Sequence, residues 1–322
     1  MADGPSAAPV PHRSASVDLL RLVLAYMIIG LHGHFLGDVS PRLRYLLEEG
    51  LFRIAVPLFF MISGFFLERG GWRGMRRWLR HLLWLYALWM AVYAAYWLPH
   101  THPTLAGAII RAIFGYYHLW FLPALAMAGI LLMALRLCGG RWLAVLAVLA
   151  GSLGLAIQVA SNLQLAGLIP GEGLESPYLF RNFAVFGFPF MALGMFLARV
   201  EPRLRPSAQI LAAALVSGLA LLLAENMLNL WLFGPEVAVE LQASLYLLCP
   251  AILLWVRRLG LARDGKPVAQ MATGIYLVHA LPLLWLNAHA GFGDTANVLL
   301  AALFSTVAAA VLVVVNRRLP VL

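Results

Sequence analysis

Charge is what this sequence has least of. Only 11% of its 322 residues are Asp, Glu, Lys or Arg, where a soluble domain carries roughly 25%. Acids are scarcest, 14 against 23 Lys and Arg. With 62% hydrophobic residues and a mean hydropathy of +0.85, this excludes a water-soluble fold. Apolar runs of about 20 residues point to membrane helices, not barrel strands. Cysteine is nearly absent. Cys138 and Cys249 each lie in or at the edge of an apolar segment, which excludes a disulfide framework and a thiolate metal cluster. No metal site and no tightly bound cofactor are expected. The opening "MADGPSAAPVPHRSAS" has no apolar core, so residues 1–15 are expected to be a disordered cytoplasmic tail, not a signal peptide. One transmembrane domain is expected over 16–318, a short tail over 319–322, and no appended soluble domain.

The reading is all-α and polytopic, with about ten transmembrane helices near 17–36, 51–67, 79–98, 118–136, 142–159, 179–198, 206–224, 240–256, 268–287 and 294–315. The net charge of +9 does not imply nucleic acid, because it is laid out by membrane side. One set of alternating loops takes 17 of the 23 basic residues, from Arg13 through Arg69, Arg136, Arg205 and Arg263 to Arg317 and Arg318. The opposite loops hold Arg42, Arg44 and Arg111, with the acids Glu172, Glu175 and Glu236. Arg21, Arg53 and Arg181 fall inside spans. The positive-inside rule then places both termini in the cytoplasm of a multi-pass protein of the inner (plasma) membrane.

Ionisable groups inside the bilayer cost roughly 2.5 kcal/mol or more each and are candidates for function. In "RLVLAYMIIGLH", Arg21 and His32 stand eleven positions apart. On a helix that is about 20° apart on one face and about 16 Å apart in depth. Arg21 also has a simpler reading, as an interfacial residue paired with Asp18. Arg53, His118 and Arg181 fall near the outer ends of their spans, and Glu225, Asn226 and Asn229 are expected just after the outward exit of theirs. His279 lies near mid-membrane, where it suits either catalysis or a structural hydrogen bond with the Tyr276 region. Singly, His34, His118 and Arg53 also read as interfacial residues; together they suggest a polar cavity between helices. "RGMRRWLRH" sets Arg73, Arg76, Arg77 and Arg80 at i, i+3, i+4 and i+7, one arginine stripe on a helix. Four guanidiniums suit phosphate or pyrophosphate, although anionic lipid headgroups also attract such a loop. Ser63 and Gly64 read as small residues for close helix approach. Pro57, Pro123 and Pro189 are expected to kink their spans.

These segments resemble the membrane acyltransferase 3 family. Arg21 and His32 fit its R-x10-H pattern and "RGMR" its RxxR pattern. "FRIAVPLFFMISGFFL", "YHLWFLPAL", "RNFAVFGFPFMALG" and "GIYLVHAL" are similar to its later segments, in order over residues 16–315. The likeness leans to the branch that forms the membrane half of vancomycin-resistance serine racemases; with no racemase half in the sequence, pyridoxal chemistry is not expected. The resemblance implies transfer of an acyl group, often acetyl, from cytoplasmic acyl-CoA to a hydroxyl of an envelope glycan, another carbohydrate or a small acceptor. It implies His32 and Arg21 as the catalytic pair, with His32 as general base, and Arg73 and Arg76 in donor binding. The rest of the stripe, Arg77 and Arg80, joins them on the coenzyme A phosphates. Arg53, His118, Arg181 and His279 are candidates for acceptor binding or oxyanion stabilisation. Direct transfer and an acyl-histidine relay both remain open. The alternative is a multi-span solute transporter using the same cavity.

Overall fold

The computed structural model describes residues 14–101, 103–174, 176–203, 206–261 and 265–322. All but the last two residues of the expected tail 1–15 lie outside these, as do Arg13, Glu175, Arg205 and Arg263. The described elements are helices: α1 (Ala15–His32), α2 (Ala55–Thr101), α3 (Leu105–Phe114), α4 (Phe121–Leu135), α5 (Gly140–Leu165), α6 (Phe188–Val200), α7 (Ala208–Phe233), α8 (Leu245–Leu259), α9 (Lys266–Val278), α10 (Ala280–His289) and α11 (Asp294–Val315). Eight helical stretches are long and apolar enough to cross a membrane. The second of them holds two arms. α2 turns at Gly71, whose φ of 56° and ψ of −162° break the helix, a conformation that only glycine adopts cheaply. Phe59 and Tyr93, roughly 50 Å apart on a straight helix, both reach one turn of α9. The Phe59 ring lies 6.4 Å from that of Tyr276, and the Tyr93 hydroxyl donates to the Leu277 carbonyl at 2.9 Å. The expected spans 51–67 and 79–98 are these arms. The expected span 240–256 corresponds to α8, a helix of 15 residues.

Several expectations need correction. α7 runs on to Phe233, so Glu225, Asn226 and Asn229 lie within the helix and not beyond its exit. Its apolar sequence tolerates the first two because Asn226 turns inward to the Leu222 carbonyl and Gln242, while Glu225 accepts from the backbone of Ala243 and Ser244. Pro57, Pro123 and Pro189 lie in the first turns of α2, α4 and α6, just after the 3₁₀ turns 51–54 and 117–120 and the π turn 183–187, so each marks a change of helical pitch at a helix start and not a mid-span kink. The turn 33–40 leaves α1 at His32, earlier than expected. The stretch read as a loop before Tyr117 contains α3, an apolar helix of 10 residues.

The first arm of α2 packs on α6 at a reciprocal close approach. A Cβ on Gly64 would strike the Met191 carbonyl, and one on Gly194 would strike the Met61 carbonyl, the small-residue packing of membrane helices. α1 packs on α9, and α9 on α11. One end of the bundle gathers Arg21, Lys266, Asn316 and Leu322 around a single cavity, with Arg21 5.7 Å over Phe66 and Arg257 5.1 Å over Phe65. Ion pairs of Glu68 with Arg136 and Arg199, at 3.2 and 3.0 Å, and of Glu201 with Arg257, at 2.8 Å, lie there too. Both ends of the described chain therefore meet at this basic end. At the far end, segment 234–244 is not helical, yet side chains satisfy its backbone. Val239 N–H donates to Glu49 at 2.7 Å, and Glu240 and Leu241 N–H to Gln158 at 3.1 and 3.3 Å.

Candidate active site

Two cavities approach each other along the bundle. The larger, about 510 Å³, runs from Arg21, Lys266, His81 and Gln270 at the basic end to Phe59, Phe121 and Tyr276. The smaller, about 40 Å³, is lined by Ile28, Leu31, His32, Arg53, Val56, Trp120, Arg181, Phe186 and Glu240, room for a few waters or a small hydroxyl group. α1 explains why Arg21 and His32 address different cavities. It is helical throughout, so the two share a face but stand about 16 Å apart along it. Arg21 also pairs with Asp18 at 3.6 Å, as the simpler reading expects, and lines the large cavity as well.

The small cavity is charge-balanced. Arg53 binds Glu49 at 2.6 Å and lies 3.6 Å from Glu240, while the Nε and Nη2 groups of Arg181 both donate to the buried Glu240 carboxylate. Two guanidiniums face two carboxylates, which leaves no net charge to attract a free anion. Gln158 braces Glu240 from behind through its backbone and itself donates to Asn162 at 2.8 Å.

Beside His32 the chain makes a strained turn. Tyr117 holds φ 52°, a left-handed conformation unusual for a non-glycine residue and often found at functional sites. The turn lays the Tyr117 ring 4.8 Å from the His32 ring and tucks His118 inward. His118, His279 and His32 then form a row, with centroids 4.5 Å apart for the first pair and 5.5 Å for the second. The His279 Nδ1 donates to the Tyr276 carbonyl at 2.7 Å, which leaves Nε2 an acceptor. The Tyr276 hydroxyl donates to the His118 carbonyl at 2.7 Å. That Nε2 and both ring nitrogens of His118 are buried and unpartnered among the described residues. Such orphans cost about 1–3 kcal/mol each, so a bound ligand that engages them gains that much. Among the described residues, no cluster fits a metal ion.

Five expected site residues thus converge: His32, Arg53 and Arg181 on the small cavity, and His118 and His279 directly behind it. Arg21 lines the other cavity. Arg73, Arg76, Arg77 and Arg80 are all exposed; the same helix faces the large cavity through Trp78, His81, Leu82 and Leu85, roughly 140° around from the stripe. The structure does not bring the four arginines to the cavity wall. Glu49, Glu240, Gln158 and Tyr117 are the members that sequence reasoning missed. Glu49 and Arg53 carry a readable signal, an i,i+4 pair in a sequence poor in acids; Glu240 meets Arg181 only through the fold.

Comparison with known proteins adds the family. The acyltransferase domain of the acyltransferase 3 family matches residues 14–315. An amino-acid racemase of Enterococcus faecalis is 24% identical over an alignment covering 96% of this chain and 47% of that protein. A serine/alanine racemase of Enterococcus gallinarum is 25% identical over 83% of this chain and 40% of that protein. The chain thus spans less than half the length of these curated relatives. No solved structure matches. A bundle of membrane-length helices, a histidine and an arginine eleven positions apart on its first helix, and a domain match over nearly every residue lead to one conclusion: the chain belongs to the acyltransferase 3 family.

Proposed function

We propose that this protein is a membrane O-acyltransferase moving an acyl group, acetyl in the simplest case, from cytoplasmic acyl-CoA to a hydroxyl of an envelope carbohydrate or other small acceptor. The observation that carries the reading is the position of His32, on the wall of a small neutral polar cavity that adjoins a large cavity with a basic mouth. The basic end faces the cytoplasm of the inner membrane, N-in and C-in, as the positive-inside rule asks. Donor phosphates sit at the mouth against Arg21 and Lys266, with the exposed stripe Arg73, Arg76, Arg77 and Arg80 as the outer electrostatic collar. The acyl-bearing arm lies in the large cavity and the acceptor enters the small one. Its charge balance favours a neutral hydroxyl compound over an anion.

His32 takes the proton from the acceptor hydroxyl as its oxygen attacks the thioester carbonyl. The C–S bond breaks, the C–O bond remains, and the proton passes from His32 to the departing thiolate. Arg53, Arg181 and the ring N–H of His118 supply donors to the oxyanion or to the acceptor's other hydroxyls, and His279, whose Nε2 is an acceptor, takes a hydrogen bond from an acceptor hydroxyl. No tightly bound cofactor is invoked. The test is release of free CoA thiol by purified protein given acetyl-CoA, with and without bacterial envelope extract, beside His32→Ala. Release that requires both His32 and extract supports the reading. Its absence with acetyl-, succinyl- and longer acyl-CoAs, from folded protein, turns the assignment to solute transport through the same two cavities.

A further inference from the structure

The two cavities stop barely short of each other. On α2, Val56 lines the small one and Phe59 the large one, a single turn and about 4.5 Å of rise apart. At the start of α4, Trp120 faces the small cavity and its neighbour Phe121 the large. Three rings close the gap: Phe59 and Phe121 at 6.0 Å between centroids, Phe121 and Tyr276 at 5.8 Å, Phe59 and Tyr276 at 6.4 Å. Those spacings are aromatic packing contacts, so no alkyl chain passes between rings so placed. Two of the rings are held from behind. Tyr276 is anchored through its hydroxyl on the His118 carbonyl, and Phe121 is buried edge-on against Phe60 at 4.8 Å. Phe59 is half-buried and turned to the large cavity.

Resting on the acyl-transfer reading, we infer that Phe59, Phe121 and Tyr276 form an acyl-length sieve: a septum between donor and acceptor chambers that passes a short acyl group to His32 and rejects long ones. The donor's nucleotide and arm stay in the large cavity. Only the acyl carbon and the few methylenes behind it cross, when the Phe59 ring swings toward the open volume beneath it. The substrate class is thus acyl-CoA of about two to four acyl carbons. A chain of six or more must either hold the ring open or fold back beside it.

The experiment measures kcat/KM for CoA thiol release along an acetyl-, butyryl-, hexanoyl- and octanoyl-CoA series. The proteins are wild type, Phe59→Ala, Phe121→Ala and Trp231→Ala, a change at an exposed position on α7. The wild type should lose about tenfold or more between acetyl and hexanoyl, the discrimination a tight apolar site gives for added methylenes. Phe59→Ala and Phe121→Ala should raise the hexanoyl-to-acetyl ratio about tenfold, with Trp231→Ala matching wild type. Phe59→Leu, expected to shift the ratio less, serves if the alanine variant does not fold.

A second readout needs no turnover. In a Cys138→Ser background, an impermeant methanethiosulfonate applied from the basic end should modify Ser63→Cys in the large cavity and spare Val56→Cys beyond the septum. Adding Phe59→Ala should expose Val56→Cys. An unchanged length profile in folded Phe59 and Phe121 variants overturns the sieve, as does equal labelling of Ser63→Cys and Val56→Cys; either result leaves acyl transfer standing if thiol release is intact. No release with any acyl-CoA, while the labelling asymmetry persists, overturns the acyl-transfer reading and the sieve with it.

Discussion

Glu240 is the residue on which the small cavity's charge balance turns, and replacing it gives the sharpest test of that arrangement. In Glu240→Met the Arg181 guanidinium loses the carboxylate it grips through both Nε and Nη2, and Arg53 keeps Glu49 at 2.6 Å but loses its second carboxylate at 3.6 Å. Breaking a buried pair by deleting one partner costs about 3–5 kcal/mol. The Arg181 side chain is 35% exposed, so water recovers part of that and the lower bound applies, about 3 kcal/mol. Arg181→Met should cost less, about 2 kcal/mol, because Glu240 retains Arg53 as a partner. Removing both charges with apolar groups of similar volume is often close to neutral. The double variant, in which Arg53 keeps Glu49, should therefore cost about 1 kcal/mol or less, not the roughly 5 expected from independent sites. Thermal midpoints of the detergent-solubilised variants, read by size-exclusion profile after heating, should give the order: wild type highest, the double variant just below it, then Arg181→Met, and Glu240→Met lowest. A double variant at or beyond the sum of the singles would falsify the paired-charge account.

Three other outcomes are expected. Gly64→Ala and Gly194→Ala drive a methyl group into a backbone carbonyl that no rotamer change can move, costing about 1–3 kcal/mol or more; Gly74→Ala, with open space around it, should leave the elution profile intact, and equal behaviour of the three would contradict the packing. The exposed stripe and the cavity mouth separate kinetically: Arg21→Gln should raise the donor KM about tenfold with the acceptor KM unchanged, roughly the worth of one charge-assisted hydrogen bond. Arg73→Gln with Arg76→Gln should also raise it, more steeply at low salt, and a donor KM indifferent to the stripe would confine the phosphates to the mouth. In the loop after α1, the hydrogen bond from His34 to Glu48, at 2.6 Å, holds the imidazole above its usual pKa. A raised pKa means stability present below the unfolded value, about 6.5, and lost as pH rises through the folded one. The melting difference between wild type and His34→Gln should be present at pH 6 and small at pH 8.5, and a difference that grew with pH would reverse the assignment.

Much of this site is legible in the sequence because helices are periodic. Once 15–32 is a helix, eleven positions fix the facing and spacing of Arg21 and His32, whatever packs around them. The same periodicity shows the arginine stripe, but it is silent on which face of α2 meets the cavity. Gly71 settles that by setting the angle at which the second arm returns. Hydropathy finds apolar stretches and misses polar residues within helices that neighbours satisfy: Glu225, Asn226 and Asn229 look like an exit and end the expected span at 224, whereas contacts of Asn226 to Gln242 and of Glu225 to the backbone of 243–244 hold those two within α7. The Arg181–Glu240 grip and the row of His32, His279 and His118 join distant segments and leave no local trace. Tyr117 leaves no trace either, because a positive φ on a tyrosine has no composition signal.

The shortness of α8 reaches beyond the protein itself. Fifteen residues make a cylinder of about 22 Å, against a hydrocarbon core of about 30 Å. The missing length is supplied at the far end by the irregular segment 234–244, whose peptide groups are answered by Glu49, Gln158 and Glu225. Irregular backbone is tolerated at that depth only against protein or a wet cavity. Lipid alongside α8, where Leu247 is exposed, meets a helix shorter than the hydrocarbon core, a mismatch that local thinning relieves at fractions of a kcal/mol per Å. Thinning there would bring the membrane surface toward the segment that carries Glu240. If the chain transfers acyl groups as proposed, such thinning would shorten the path between a polar acceptor on one side of the membrane and an acyl donor on the other.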